Sequence, residues 1–146
     1  MRIYVAGPLF TLAERRFNAA LSTAILEISR DIEVVLPQYE TAKMAGTPDF
    51  AAEAFRFCLQ AITECDAIAG LLDGSDVDSG TCVELGYAYA NKKPILGIRT
   101  DFRPSEDRGL NLMVANICTR LIAKSSLTTS VEEVARAIVD FLHEVV

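Results

Sequence analysis

Ala67-Ile68-Ala69-Gly70-Leu71-Leu72 is an apolar run that stops at Asp73-Gly74-Ser75-Asp76-Val77-Asp78, after which Ser79-Gly80-Thr81-Cys82-Val83-Glu84-Leu85-Gly86-Tyr87 reads as the opening of a helix. Four carboxylates, Asp73, Asp76, Asp78 and Glu84, therefore cluster where a strand gives way to a helix. A short uncharged run of this kind is a strand buried on both faces, as in a parallel sheet covered by helices. In such sheets ligands bind in the crevice outside the carboxyl ends of the strands, so this junction marks the expected site.

On either side of it, further short runs rich in β-branched residues occur at Arg2 to Ala6, Glu33 to Leu36, Pro94 to Ile98 and Arg120 to Ala123. They alternate with segments of helical period, the pattern of an α/β fold. Between the first two strands Phe17, Leu21, Ala24 and Ile28 recur at steps of four, three and four, which lays one apolar stripe against a sheet. The last helix carries its stripe through Val131, Val134, Ala135, Ile138, Leu142 and Val145, with Ser130 as N-cap and Glu133 completing a capping box. Five strands and five helices fit a flavodoxin-like doubly wound sheet of order 2-1-3-4-5, helices on both faces, in a single domain over residues 1–146. That order puts the switch point between strands one and three, so Gly7-Pro8 and the acidic loop face each other across one crevice. Pro37 to Asp49, with Gln38, Tyr39, Gly46 and Pro48, reads as a loop long enough to cover a site or to be plain surface, and so does the polar stretch from Thr100 to Arg108.

Acidic residues outnumber basic ones by 20 to 14, a net charge of -6 with no basic stretch to track a phosphate backbone. A nucleic-acid polymer is not an expected partner, although a free nucleoside is compatible. No run approaches the roughly 18 apolar residues of a membrane span, and no signal peptide precedes the first strand, so a soluble cytoplasmic protein without membrane partners is expected. Cys58, Cys65, Cys82 and Cys118 form no C-x-x-C pair, and His143 is the one imidazole, so reduced, mostly buried thiols and no metal site are expected.

Thr81 and Glu84 have the spacing of a capping box, which would tie Glu84 to its own backbone. The loop nevertheless holds more acid than a cap requires, and crowded aspartates repel one another. A calcium loop of the EF-hand kind starting at Asp76 would need Glu at its twelfth position, where Tyr87 stands. Asp76-Val77-Asp78 also lacks the context of an aspartyl phosphatase. A third use is carboxylate catalysis at a sugar's anomeric carbon: Glu84, in the first turn of the helix, would be kept ionised by the helix dipole and stabilise oxocarbenium character, while the neighbouring acids position sugar hydroxyls. Gly80 and Gly86 would let substrate and backbone approach it closely. Tyr4, at the end of strand one, would hydrogen-bond Glu84 and orient it, or else serve as a core aromatic.

Ile3-Tyr4-Val5-Ala6-Gly7-Pro8-Leu9-Phe10, Cys65-Asp66-Ala67-Ile68-Ala69, Asp78-Ser79-Gly80-Thr81 through Glu84-Leu85-Gly86-Tyr87-Ala88, and Arg99-Thr100-Asp101-Phe102-Arg103 with Asn111-Leu112-Met113 together resemble the nucleoside 2-deoxyribosyltransferase family. The resemblance runs from about residue 1 to residue 117. It implies a flavodoxin-like fold, no metal or organic cofactor, and exchange of 2-deoxyribose between nucleobases through a covalent glycosyl-enzyme. Its substrates would be a nucleoside and a free nucleobase. It further implies that Glu84 is the nucleophile, that Tyr4 orients it, and that Asp78 helps hold the sugar's 5′ end. Gly7 and Pro8 would shape the pocket floor, and Asp73 would contact substrate. Asn111 and Met113 resemble a stretch lent by a neighbouring subunit, so a homo-oligomer with shared sites is implied.

One position departs from the pattern. The better-known bacterial transferases carry an aspartate near the base eight residues before the aspartate that opens strand three, and counting back from Asp66 gives Cys58. A thiol cannot protonate a departing purine as a carboxylic acid does, so base choice is affected or another group, such as Asp49 or Glu53, serves. The enzymatic alternative is an N-glycosidase in which water attacks the glycosyl-enzyme. An aspartate at position 78 would repel a 5′-phosphate dianion and favour a free nucleoside. Cytokinin-type phosphoribohydrolases share Gly80-Thr81 and Glu84 but carry a glycine pair ahead of them that is missing here. A non-catalytic nucleotide-sensing module, with Glu84 merely capping, is the alternative outside enzymology.

Overall fold

The computed structural model describes residues 1–103 and 110–146, so the expectation for Thr100 to Arg108 falls partly outside the described residues. β1 (Arg2–Ala6), β2 (Glu33–Val35), β3 (Ala67–Leu71), β4 (Ile95–Arg99) and β5 (Arg120–Ala123) form one parallel sheet in the order β2-β1-β3-β4-β5. This is the doubly wound, flavodoxin-like order expected from the sequence. The connections hold α1 (Leu12–Ile28), α2 (Pro37–Glu40), a 3₁₀ turn (Thr41–Met44), α3 (Phe50–Glu64), α4 (Ser79–Ala90), α5 (Leu112–Ile117) and α6 (Val131–Val145).

The central strands are buried on both faces, and their side chains alternate between two cores. Ile3, Val5, Ala69, Leu96 and Ile98 face α1 and α6, where Leu21, Ile25, Ile138 and Leu142 close the layer. Each of those four, fully buried, contributes about 1.5–3 kcal/mol. Phe17 and Ile28 of the expected α1 stripe pack at the margin of this layer. Tyr4, Ala6, Ile68 and Leu72 face the other way, toward α3, α4 and α5. Ser130 and Glu133 form the expected capping box, with Glu133 N donating to Ser130 Oγ at 3.2 Å and Ser130 N to Glu133 Oε2 at 3.0 Å.

One expectation is corrected. Pro37 to Asp49 is not an open loop: α2 and the 3₁₀ turn fill it as far as Met44, which adds a sixth α-helix among the described residues. Pro37 occupies the start of α2, where its fixed φ suits a helix and its missing N–H has no partner to lose. Proline, elsewhere a loop signal, here begins the helix.

Two features of the fold place the site. Gly70 of β3 lies beneath Leu85 of α4, where a Cβ would come within 2.9 Å of the Leu85 side chain; its absence lets α4 sit low on the sheet. Tyr4, at 0% exposure in β1, points to the same layer, so the tyrosine and the residue before Leu85 converge.

Candidate functional site

α4 begins at Ser79, and its N-cap is Asp78, whose Oδ2 accepts from Thr81 N at 2.8 Å and from Thr81 Oγ1 at 3.0 Å. The Thr81 to Glu84 capping box considered from the sequence is thus replaced: the aspartate caps, and Glu84 is released from its own backbone. Asp78 Oδ1 takes no hydrogen bond from the described residues. Glu84 also lies in the second turn of α4, not the first, because the helix starts only at Ser79.

Glu84 Oε1 accepts a hydrogen bond of 2.6 Å from the Tyr4 hydroxyl. Burial pushes the Glu84 carboxyl up to about 7; the Tyr4 bond and Cys58 oppose this, and the negative charge of Asp78 adds to it. The expectation that the helix dipole keeps Glu84 firmly ionised is corrected, since the dipole's influence falls off within the first turn and desolvation dominates. Burial, and then the neighbouring Glu84, drive the Tyr4 hydroxyl far above its ordinary range, so it stays a proton donor. The half-buried Cys58 thiol of α3 adjoins both groups; burial raises its pKa, and it remains a neutral thiol. All four cysteines are unpaired, but only Cys65 is fully buried; Cys58, Cys82 and Cys118 are half-buried, which corrects the expectation of mostly buried thiols.

Glu84 is thus a partly desolvated carboxylate with one oxygen held by a protonated phenol. Among the described residues the Tyr4 bond is the one hydrogen bond of standard geometry to this carboxylate, and the Cys58 thiol lies beside it. Such a group has the properties of a nucleophile toward an electron-poor carbon, because little water must be stripped from it.

The remaining expected residues lie as follows. Gly7 packs its backbone against the Leu71 side chain. Pro8 and Asp73 line one cavity of about 160 Å³ with Glu14, Phe17, Asn18 and Leu71, so the end of β1 and the start of the acidic loop do share a crevice. The Asp73 carboxylate, however, is engaged with the end of β4, where Oδ1 accepts from Thr100 N at 2.5 Å and Asp101 N at 2.8 Å, and Oδ2 from Thr100 Oγ1 at 2.6 Å. Three of its roughly four acceptor positions are filled, which leaves little for a ligand. Gly80 is exposed in the first turn of α4 beside Asp78. Asn111 caps α5 by accepting from Met113 N at 2.8 Å, while Leu112 and Met113 stand 61% and 67% exposed. Neither Asn111 nor Met113 is brought to Glu84 by any hydrogen bond or core packing among the described residues.

Sequence reasoning passed over Arg99 as a site element. Its guanidinium, 6% exposed, donates to Leu72 O at 2.7 Å and to Gly74 O at 3.2 Å. The signal was available, a lone cation closing the otherwise apolar Ile95-Leu96-Gly97-Ile98. Asn18 and Gln38, both buried, were also missed as a pair: Asn18 Nδ2 donates to Pro8 O at 3.0 Å and to Gln38 Oε1 at 3.3 Å, tying the turn after β1 to α1 and α2.

The family model described as nucleoside 2-deoxyribosyltransferase matches residues 3–113. Among solved structures, a conserved protein from Enterococcus faecalis V583 is 28% identical, with 96% of this chain and 98% of that one covered and a TM-score of 0.75. The 2-deoxyribosyltransferase of Leishmania mexicana is 25% identical over 99% of both chains, with a TM-score of 0.68. That of Bacillus psychrosaccharolyticus, 20% identical over 92% of this chain and 90% of its own, has a TM-score of 0.72 and shows the shared fold. No curated protein matches by sequence.

Proposed function

Since the chain belongs to the nucleoside 2-deoxyribosyltransferase family, we propose that it exchanges the base of a 2′-deoxyribonucleoside through a covalent glycosyl-enzyme on Glu84. The observation that carries this reading is the carboxylate of Glu84, held through one oxygen by Tyr4 at 2.6 Å and free of capping duty. As the bond from C1′ to the base nitrogen breaks, its electron pair leaves with the base, which takes a proton from solvent. Oxocarbenium character grows on the sugar, and the ionised Glu84 stabilises it and then bonds to C1′. An incoming base reverses the steps, its nitrogen attacking C1′ and releasing the carboxylate.

In this reading Tyr4 orients the nucleophile, and Asp78 offers its unengaged Oδ1 to the sugar's 5′-hydroxyl. Gly7, Pro8 and Gly80 border the sugar, while Asp73 acts through the loop it anchors. The exposed Leu112 and Met113 meet a second copy of the chain, and Asn111 reaches that copy's site. No nucleic-acid polymer takes part. Hydrolysis is the same chemistry with water in place of the incoming base in the second step.

The test incubates the protein with deoxyinosine, with and without adenine, and follows the products by chromatography. Deoxyadenosine formed only with adenine supports exchange, and free deoxyribose in both tubes supports hydrolysis. Absence of either product across purine and pyrimidine deoxyribonucleosides contradicts the proposal.

A further inference from the structure

The segment from Asp73 to Asp78 connects β3 to α4, and its far end is fixed by the Asp78 cap. Its near end is held by bonds that run in both directions. From β4, Arg99 reaches across to two carbonyls that flank Asp73, those of Leu72 at 2.7 Å and Gly74 at 3.2 Å. From the loop, Asp73 reaches back to Thr100 N, Thr100 Oγ1 and Asp101 N at 2.5, 2.6 and 2.8 Å. Gly74 N closes the set by donating to Asp101 Oδ2 at 3.2 Å.

A guanidinium as buried as Arg99 is costly unless its donors are satisfied, and here they are spent on main chain at a turn. The turn itself requires glycine: Gly74 has φ +117°, and a Cβ there would lie 2.8 Å from Asp76 O. The strands do not depend on these contacts to pair, since Leu72 N already donates to Ile98 O at 2.8 Å and the β3–β4 ladder precedes it. The bonds lie beyond the ladder, where they determine the path of the loop. We propose that Arg99 and Asp73 form a two-way latch that fixes the acidic loop, making both of them positioning residues for the sugar-binding end of the site through Asp78. The proposal rests on the reading of Glu84 and Asp78 given above.

The experiment compares wild type with Arg99→Met, Arg99→Lys, Asp73→Asn and Thr100→Val. It measures KM and kcat for the nucleoside that wild type accepts, thermal unfolding, and amide hydrogen exchange at Gly74, Thr100 and Asp101. Misplacing the loop raises KM about 10-fold or more in Arg99→Met and Asp73→Asn, with kcat changed far less, because the Tyr4 to Glu84 pair is untouched. Arg99→Lys recovers part of the loss, Thr100→Val loses less, and exchange at the three amides quickens in step. A merely structural role would lower the folded fraction, and so kcat, at constant KM. Folded variants with unchanged KM, or with a raised KM and unchanged exchange, overturn the latch. If Arg99→Met does not fold, Asp73→Asn and Thr100→Val decide by the same criteria. A wild type inert toward every nucleoside removes the reading of Glu84 and with it the role given to the latch; an active wild type with indifferent variants removes the latch alone.

Discussion

Glu84→Gln keeps the side chain's shape and an oxygen to accept from Tyr4, but it removes the charge that burial disfavours. With its carboxyl raised from the ordinary 4.5 to about 7, folded Glu84 holds a proton that the unfolded chain has already released across that interval. Stability therefore falls with rising pH wherever the native state binds more protons, here between about pH 4.5 and 7, and levels off above. At 1.36 kcal/mol per pK unit the difference accumulates to about 3 kcal/mol. The amide variant lacks this loss, so it should be more stable than wild type by about that amount at pH 8 and nearly equal to it at pH 4.5. Urea unfolding of both proteins from pH 4.5 to 9 measures it, and the difference between the curves cancels the other carboxylates. A difference that stays flat with pH is incompatible with desolvation governing Glu84.

The same carboxyl gives activity an acid limb near pH 7, because only the ionised form attacks. Tyr4→Phe keeps the buried ring but removes the bond that lowers the Glu84 pKa, so a pH–rate profile should show the limb moved upward and kcat reduced about 10- to 100-fold; an unmoved limb counts against the pairing. Asp78→Asn retains a capping side chain while removing a charge that raises Glu84, so the limb should move down and the preference for nucleoside over its 5′-monophosphate should shrink in competition assays. Met113→Asp places a charge on the exposed start of α5; sedimentation should report smaller assemblies together with a loss of activity, and unchanged sedimentation speaks against the shared site.

The sheet order was legible because parallel strands buried on both faces leave uninterrupted apolar runs, as in Ala67 to Leu72, and because α1 and α6 carry clear stripes. α2 was not legible, since Pro37 signals a break by composition and a helix start by geometry. At the site, the pairing of Tyr4 with Glu84 was one of two readings the residues allowed, and the protonation state of Glu84 was not legible. It depends on burial between α4, which carries Glu84, and the facing β1 and α3, which only the assembled layers create. The roles of Arg99 and Asp73 were hidden for a related reason: their bonds join the ends of two neighbouring strands far apart in the chain, and no local spacing records them. Asp78 took the cap that spacing offered to Thr81, because an aspartate placed immediately before the first helical turn is the better acceptor for its free N–H groups.

Every step of the proposed chemistry depends on a bond between Glu84 and the sugar. Rapid quenching of the protein with a deoxyribonucleoside in the absence of acceptor, followed by proteolysis and mass spectrometry, looks for that bond itself. The expected finding is a deoxyribosyl group on the peptide containing Glu84, absent in Glu84→Gln. Turnover with the group on another side chain, or undiminished turnover in Glu84→Gln, rules the mechanism out.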